Sequence, residues 1–353
     1  MNQAYKDFIQ YSLDETKPLP KSFDEIVWED FNIFCYQHSI LGVVYSGLER
    51  TNRRIPQHVL FEWISFVESI KQQNNVVNQR LTAVTKWFDE RELPCVILKG
   101  QANGMMYPKP EYRSPGDIDV WAKGSATELI KFVLRDWADA KYTFHHIELP
   151  IFPDVSVEVH YIPAYLINWR MNKRLLNYIK QEEERIFRNK KNLNGSSIGC
   201  LTCAFDIVYQ MLHMYTHLFS TRNNFKQFMD YYYLLLSSKG TYDKNETCGL
   251  LSDFGVLKYS QGIMWIMKEM LGLDEKYLYT DSNEKIGRVI LEQALKYGSF
   301  SNNRLKANIQ QVFANFRMIS IFPEDVMIRP IFLLWYKLWW EMTMKKKIKA
   351  SWN

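Results

Sequence analysis

The chain has no uninterrupted apolar run of the 18 or more residues that would read as a membrane-spanning helix. Its first residues, Met1-Asn2-Gln3-Ala4-Tyr5-Lys6-Asp7, lack the basic-then-apolar order of a secretion signal, so no membrane span and a cytoplasmic location are the expectations. Cysteine is scarce. Its five residues, Cys35, Cys95, Cys200, Cys203 and Cys248, are scattered and odd in number, which excludes a disulfide framework and points to free thiols in a reducing compartment. Neither G-x-G-x-x-G nor G-K-[ST] occurs between Gly100 and Gly116, so dinucleotide-fold and P-loop signatures are missing. Charge of one sign is lacking too: 44 Lys and Arg against 39 Asp and Glu leave +5, too slight an excess to mark a nucleic-acid binder. No internal repeat or low-complexity segment is present. What remains, 353 residues with 47% hydrophobic and 15% aromatic content, is enough for two or three domains with a sizeable core.

Three regions follow along the chain. Residues 1–91 read as helical, with Ser22 and Glu25 spaced as a capping box and Pro56 suited to a first helical turn. Leu60, Trp63, Ile64, Val67 and Ile70 recur at helical spacing, followed by Leu81, Val84, Trp87 and Phe88. Residues 92–165 change to short strands, at 96–98, 118–122, 142–147 and 155–160, around one helix at 127–137. Helices return over 166–353, after a short hairpin within 192–199: from the N-cap Thr202 to Phe219, then near 224–237, 246–271, 283–297, 303–319 and 325–344. The fold class is therefore α+β, a small mixed-sheet core between N-terminal and C-terminal helical regions.

The chemistry gathers between Cys95 and Asp119. An apolar strand ends in Lys99-Gly100, a loop runs through Tyr112-Arg113-Ser114, and Gly116-Asp117-Ile118-Asp119-Val120-Trp121 follows. Asp117 and Asp119, two apart on a strand, point to one face about 6 to 7 Å apart and repel each other unless a cation intervenes. Alone, an Asp-x-Asp is more often a solvated edge. A third acid, Glu158, lies in Val155-Ser156-Val157-Glu158-Val159-His160. Alternation separates it from the three valines and prefers it to its neighbours Glu148 and Asp154. Three converging carboxylates make a hard-oxygen site for magnesium, or manganese in its place.

These stretches, Val96 to Gly100, Tyr107, Arg113, Gly116 to Val120 and Val157 to His160, resemble the uncharacterised bacterial nucleotidyltransferase family marked by Leu-Lys-Gly, Asp-Ile-Asp and Val-Glu-x-His, within the polymerase-beta-type nucleotidyltransferase superfamily. Phe34 to Leu48, His213-Met214-Tyr215-Thr216-His217 and Phe225 to Asp230 extend the likeness over about residues 30–240. It implies a nucleotidyltransferase-like core in which Asp117, Asp119 and Glu158 hold two magnesium ions. Lys99, Gly100 and Arg113 meet the phosphates of a nucleoside triphosphate such as ATP. The product is a nucleoside monophosphate joined to an unknown acceptor: a small molecule, a sugar phosphate or a protein. Better-known superfamily members carry Gly-Ser where this chain has Gly100-Gln101. A catalytically inactive nucleotide- or partner-binding module on the same fold is the alternative.

Other motifs weigh less. His213 and His217 stand four apart on one helix face, with Asp230 on the next helix. Metal-ligand spacing is satisfied, but buried hydrogen-bonded histidines are the commoner outcome, and the three are candidates for a cleft wall. His160 is ambiguous for the same reason, and His145-His146 has no ligand spacing with anything else. Cys200-x-x-Cys203 lacks a redox-fold context and reads as inert thiols. Trp335, Trp339 and Trp340, before Lys345-Lys346-Lys347, suit a terminal helix laying its aromatics on the core rather than a membrane or nucleic-acid footprint.

Overall fold

The structure is a computed structural model that describes residues 1–193, 195–220, 223–296 and 315–350. The chain divides into two compact units, each assembled from separated segments. The first comprises Met1–Asn75, Asn103–Pro115 and His213–Arg317; the second comprises Val76–Ala102, Gly116–Leu212 and Met318–Asn353.

The first unit is helical. Helices α1 (Gln3–Leu13), α2 (Trp28–Gln37), α3 (Leu41–Leu48) and the start of α4 (Gln57–Asp89) enclose an aromatic core. Phe8, Phe31 and Trp63 are fully buried, and Trp28 meets Phe8 and Trp63 edge-on at 5.8 Å each, a geometry that adds to burial through the ring quadrupoles. Asn2 caps α1 through the Ala4 N–H. Ser22 makes no cap: it lies in a 3₁₀ turn, Lys21–Glu25, and donates to Asp7 Oδ2 at 2.7 Å instead. Later segments add α9 (Phe225–Ser237), α10 (Lys244–Asp253), α11 (Leu257–Trp265) and α12 (Glu284–Leu295). The single helix expected over 246–271 is broken because Gly255 takes φ +71°, leaving α10 and starting α11 afresh. The helix expected at 303–319 lies mostly outside the described residues.

The second unit holds the sheet. Strands β1 (Cys95–Ile97), β2 (Ile118–Ala122), β3 (His146–Glu148) and β4 (Val157–His160) pair in the order β1-β2-β4-β3. Only β2 and β4 run parallel. Every residue of β2 is buried, as a central strand covered on both faces requires. Helix α6 (Ala126–Asp136) starts at a reciprocal capping box between Ser125 and Glu128, and buries Leu129, Ile130 and Val133. The one-turn α5 (Gln101–Gly104) begins just after β1. Helix α7 (Trp169–Arg188) leads into the hairpin β5 (Lys190–Leu193) and β6 (Ser196–Gly199), and α8 (Cys203–Leu218) follows. The last helix is α13 (Pro323–Ala350). Of its three tryptophans only Trp340 is buried, against Tyr142 and Tyr161, while Trp335 and Trp339 are exposed. The expected burial of all three fails because residues four apart share a helix face that Trp340 does not. None of the five cysteines is in a disulfide, and burial pushes Cys200 up to about 11, far from a reactive thiolate. Among the described residues, no helix is long and apolar enough to cross a membrane.

Candidate active site

Register explains why distant acids meet. In the parallel pairing of β2 with β4, Asp119 stands opposite Glu158 and Trp121 opposite His160. Asp117 precedes Asp119 by two and shares its face. One oxygen from each of Asp117, Asp119 and Glu158 lies within 4.8 Å of the others. Glu148, the competitor on β3, is exposed, and Asp154 faces Arg80 at 2.8 Å on the surface.

The three carboxylates are not equivalent. Asp119 has only 2% of its side chain exposed, against 42% for Asp117 and 28% for Glu158. Burial alone would raise its pKa, but Lys99 Nζ at 2.8 Å from Oδ2 and His160 Nε2 at 3.0 Å from Oδ1 hold it well below the ordinary carboxylate range. Asp117 shifts the other way. Burial and then the nearby Asp119 charge raise it, and Lys99, farther off at 3.6 Å, offsets this only in part. Glu158 is lowered by the His160 N–H first, with His146 assisting. For Lys99, burial disfavours the ammonium, yet the two aspartates win and lift its pKa.

Lys99 reaches this position from the end of β1, whose neighbour Leu98 donates its N–H to the Asp119 carbonyl at 3.0 Å. Gly100 then takes φ +67°, and a Cβ there would stand 3.3 Å from the Asp117 carbonyl. Only glycine turns the chain so close to β2 without strain. The next side chain, Gln101, is buried and donates to Asn78 of α4.

His146 was not legible as part of this group, having no ligand spacing in the sequence. The antiparallel pairing of β3 with β4 sets it opposite His160, and its Nδ1 lies 3.3 Å from Glu158 Oε2. Among the described residues, His146, Glu158 and His160 form a second set with ligand atoms within 4.8 Å, sharing Glu158 with the first. His145 Nε2 lies 3.0 Å from His146 Nδ1. That nitrogen of His146 faces both His145 and Glu158, so the row of imidazoles makes a shared contact rather than a through-going proton wire. The sequence signal for His146 was its place in the strand beside the acidic one.

Arg113 and the histidine pair belong to the first unit. Arg113 is buried and grips Asp230 with two bonds, Nε to Oδ1 at 2.7 Å and Nη2 to Oδ2 at 2.8 Å. Tyr107 donates to Asp230 Oδ1 at 2.6 Å, and Asn74 ties the Glu111 and Arg113 carbonyls at 3.0 and 2.9 Å. Burial would raise Asp230, but the guanidinium holds it below its ordinary value. This is a clamp within the first unit, with both forked donors of Arg113 already engaged. His213 and His217 lie edge to face, ring centroids 4.4 Å apart. They join neither metal-capable set among the described residues.

The chemistry open to the second unit is that of an all-oxygen cation site beside a lysine and a glycine turn. The family described as uncharacterised nucleotidyltransferase matches residues 24–272. Among solved structures, an antigenic nucleotidyltransferase-like protein from Paracoccidioides brasiliensis is similar at 14% identity and a TM-score of 0.38, over 60% of this chain and 96% of that one. No curated protein matches the chain.

Proposed function

Because the chain belongs to the uncharacterised nucleotidyltransferase family, we propose that it transfers a nucleoside monophosphate from a nucleoside triphosphate to an acceptor hydroxyl or phosphate. The observation that carries this reading is the convergence of Asp117, Asp119 and Glu158 within 4.8 Å. A donor set of carboxylate oxygens fits magnesium or manganese and suits softer ions less. Burial and then the Asp119 charge raise the pKa of Asp117, so a cation bound beside it would favour its charged form. Two magnesium ions held by the three acids would supply an acidified acceptor hydroxyl and charge neutralisation on the triphosphate.

The chain's own groups do the remainder. His160 fixes the Asp119 carboxylate by its ring N–H, and Gly100 lets the backbone approach phosphate. Lys99 offers its ammonium to the triphosphate. Glu158 completes the hydroxyl-side metal site or accepts the proton of the attacking hydroxyl. The acceptor oxygen bonds to the α-phosphorus as the bond to the bridging oxygen breaks, and pyrophosphate leaves. Arg113 is taken up by Asp230 within the first unit. The acceptor is a small molecule, a sugar phosphate or a protein.

Gln101, turned to Asn78 where a serine would face phosphate, favours one competing reading: an inactive nucleotide- or partner-binding module. The two part on turnover. Incubated with labelled triphosphates, magnesium and cell extract, the wild type should label an acceptor, and Asp117→Asn and Asp119→Asn should not. Nucleotide binding without transfer to any class of acceptor would overturn catalysis in favour of the module.

A further inference from the structure

Any cation entering between Asp117 and Asp119 meets one already there. The Lys99 ammonium lies 2.8 Å from Asp119 Oδ2 and 3.6 Å from Asp117 Oδ1, with 23% of its side chain exposed. It gives the two neighbouring carboxylates one positive partner, so the fold without metal is already partly neutralised there. Glu158 stands apart from this arrangement, held by the imidazoles of His146 and His160 at 3.3 and 3.5 Å. A divalent ion on the aspartate oxygens would be within a few ångströms of the ammonium, and like charges so placed in a partly buried site repel strongly. Ion and ammonium cannot both hold the same oxygens at their preferred distances.

Resting on the nucleotidyltransferase reading, we propose that Lys99 is a resident counter-ion. It leaves the aspartates for the divalent ion when a triphosphate is present to receive the ammonium, so that metal and nucleotide bind cooperatively. Lysine suits this exchange better than arginine, because its point charge rides a flexible stem and no forked geometry binds it to one carboxylate. The motion is short. The same ammonium neutralises aspartate in the empty site and phosphate in the filled one, and the strongly anionic site is never without a cation. Linkage makes the effect reciprocal: nucleotide tightens metal by the factor by which metal tightens nucleotide.

Manganese binding, followed by the loss of the free-ion paramagnetic resonance signal, tests this with and without non-hydrolysable triphosphate analogues of the four common bases. Binding is corrected for manganese held by free nucleotide. In the wild type, nucleotide should tighten manganese by roughly tenfold or more, within the usual range of coupling between two sites. Lys99→Gln and Lys99→Met should bind manganese more tightly than the wild type when nucleotide is absent, and should lose the coupling. Manganese should also raise their melting temperature more than that of the wild type, a readout independent of turnover that also shows the variants are folded. Lys99→Arg, keeping a cation, should stay weak for metal until nucleotide is added. Lysine variants that bind manganese no better than the wild type without nucleotide, or that keep its full coupling, would overturn the counter-ion role while leaving the transferase reading intact. A wild type that takes no manganese even with nucleotide, like an Asp117→Asn control, would remove the parent reading itself.

Discussion

Asp117 and Asp119 are a single residue type two positions apart, yet their environments give them different tasks. Asp119 is buried between an ammonium and an imidazole, so its removal strands both partners. Breaking a buried pair in this way costs about 3–5 kcal/mol. Asp117 is close to half exposed, and losing it should cost less than about 1 kcal/mol. Urea unfolding of Asp119→Ala and Asp117→Ala should show this asymmetry; equal midpoints would mean that Asp119 is not the structural anchor. Activity lost in Asp117→Asn is then the cleaner sign of chemistry, since that variant leaves the fold nearly untouched. The aspartate pair and Glu158 were legible because strand alternation is a local property. Legibility ended where a partner lies far off in the chain. That Lys99 faces Asp119, or that His146 lies beside Glu158, depends on strand pairing that no local pattern encodes. Arg113 was legible as a cation, but its partner Asp230 stands 117 positions away on α9.

At the scale of elements, the strongest patterns carried over best. The strand at 118–122, the helix expected at 127–137 and found at Ala126–Asp136, and the hairpin after Asn189 all follow from short-range rules of alternation, periodicity and turn composition. The break at Gly255 and the exposed tryptophans of α13 did not, since periodicity shows a helix's apolar positions without showing what will cover them. One close approach was also invisible. Gly199, at the end of β6, passes so near β1 that a Cβ would stand 2.3 Å from the Cys95 carbonyl and 3.0 Å from a Val96 methyl. The following residue, Cys200, bridges to Ile97, two positions before Lys99. Gly199→Ala must therefore push on the strand that delivers the lysine. Overpacking of this kind costs about 1–3 kcal/mol. Thermal unfolding should show the loss, and the manganese affinity of the variant should change with it because β1 carries Lys99. An alanine accepted with no change in stability would mean that the hairpin yields freely and does not brace β1.

Across the whole molecule, sequence order and spatial grouping diverge: α4 and α8 each begin in one unit and end in the other. A reading made along the chain sees consecutive regions, whereas contacts gather segments more than a hundred residues apart. His38 illustrates what that gathering does to global stability. It ends α2, is 1% exposed, and lies against Phe34 and, from α9, Phe225, with ring centroids 4.4 and 5.0 Å away. Its Nδ1 accepts the Phe225 N–H at 3.5 Å, a bond that needs that nitrogen unprotonated. Burial lowers its pKa from 6.5 to about 4. The folded state therefore keeps the ring neutral at pH values where the unfolded chain protonates it. Stability from this group is complete above about pH 6.5 and falls as pH drops toward 4, because the unfolded state then binds the extra proton. For these two values the loss between pH 7 and pH 5 is about 2 kcal/mol. His38→Gln, which keeps an acceptor but cannot charge, should reduce the drop in unfolding free energy over that interval by about the same amount. The comparison is best followed by urea titration with a probe of the first unit, since a chain of two units need not unfold in one step. A wild type and variant that lose stability in parallel between pH 7 and pH 5 would show that His38 is protonated in the folded state and that Phe225 does not hold it neutral.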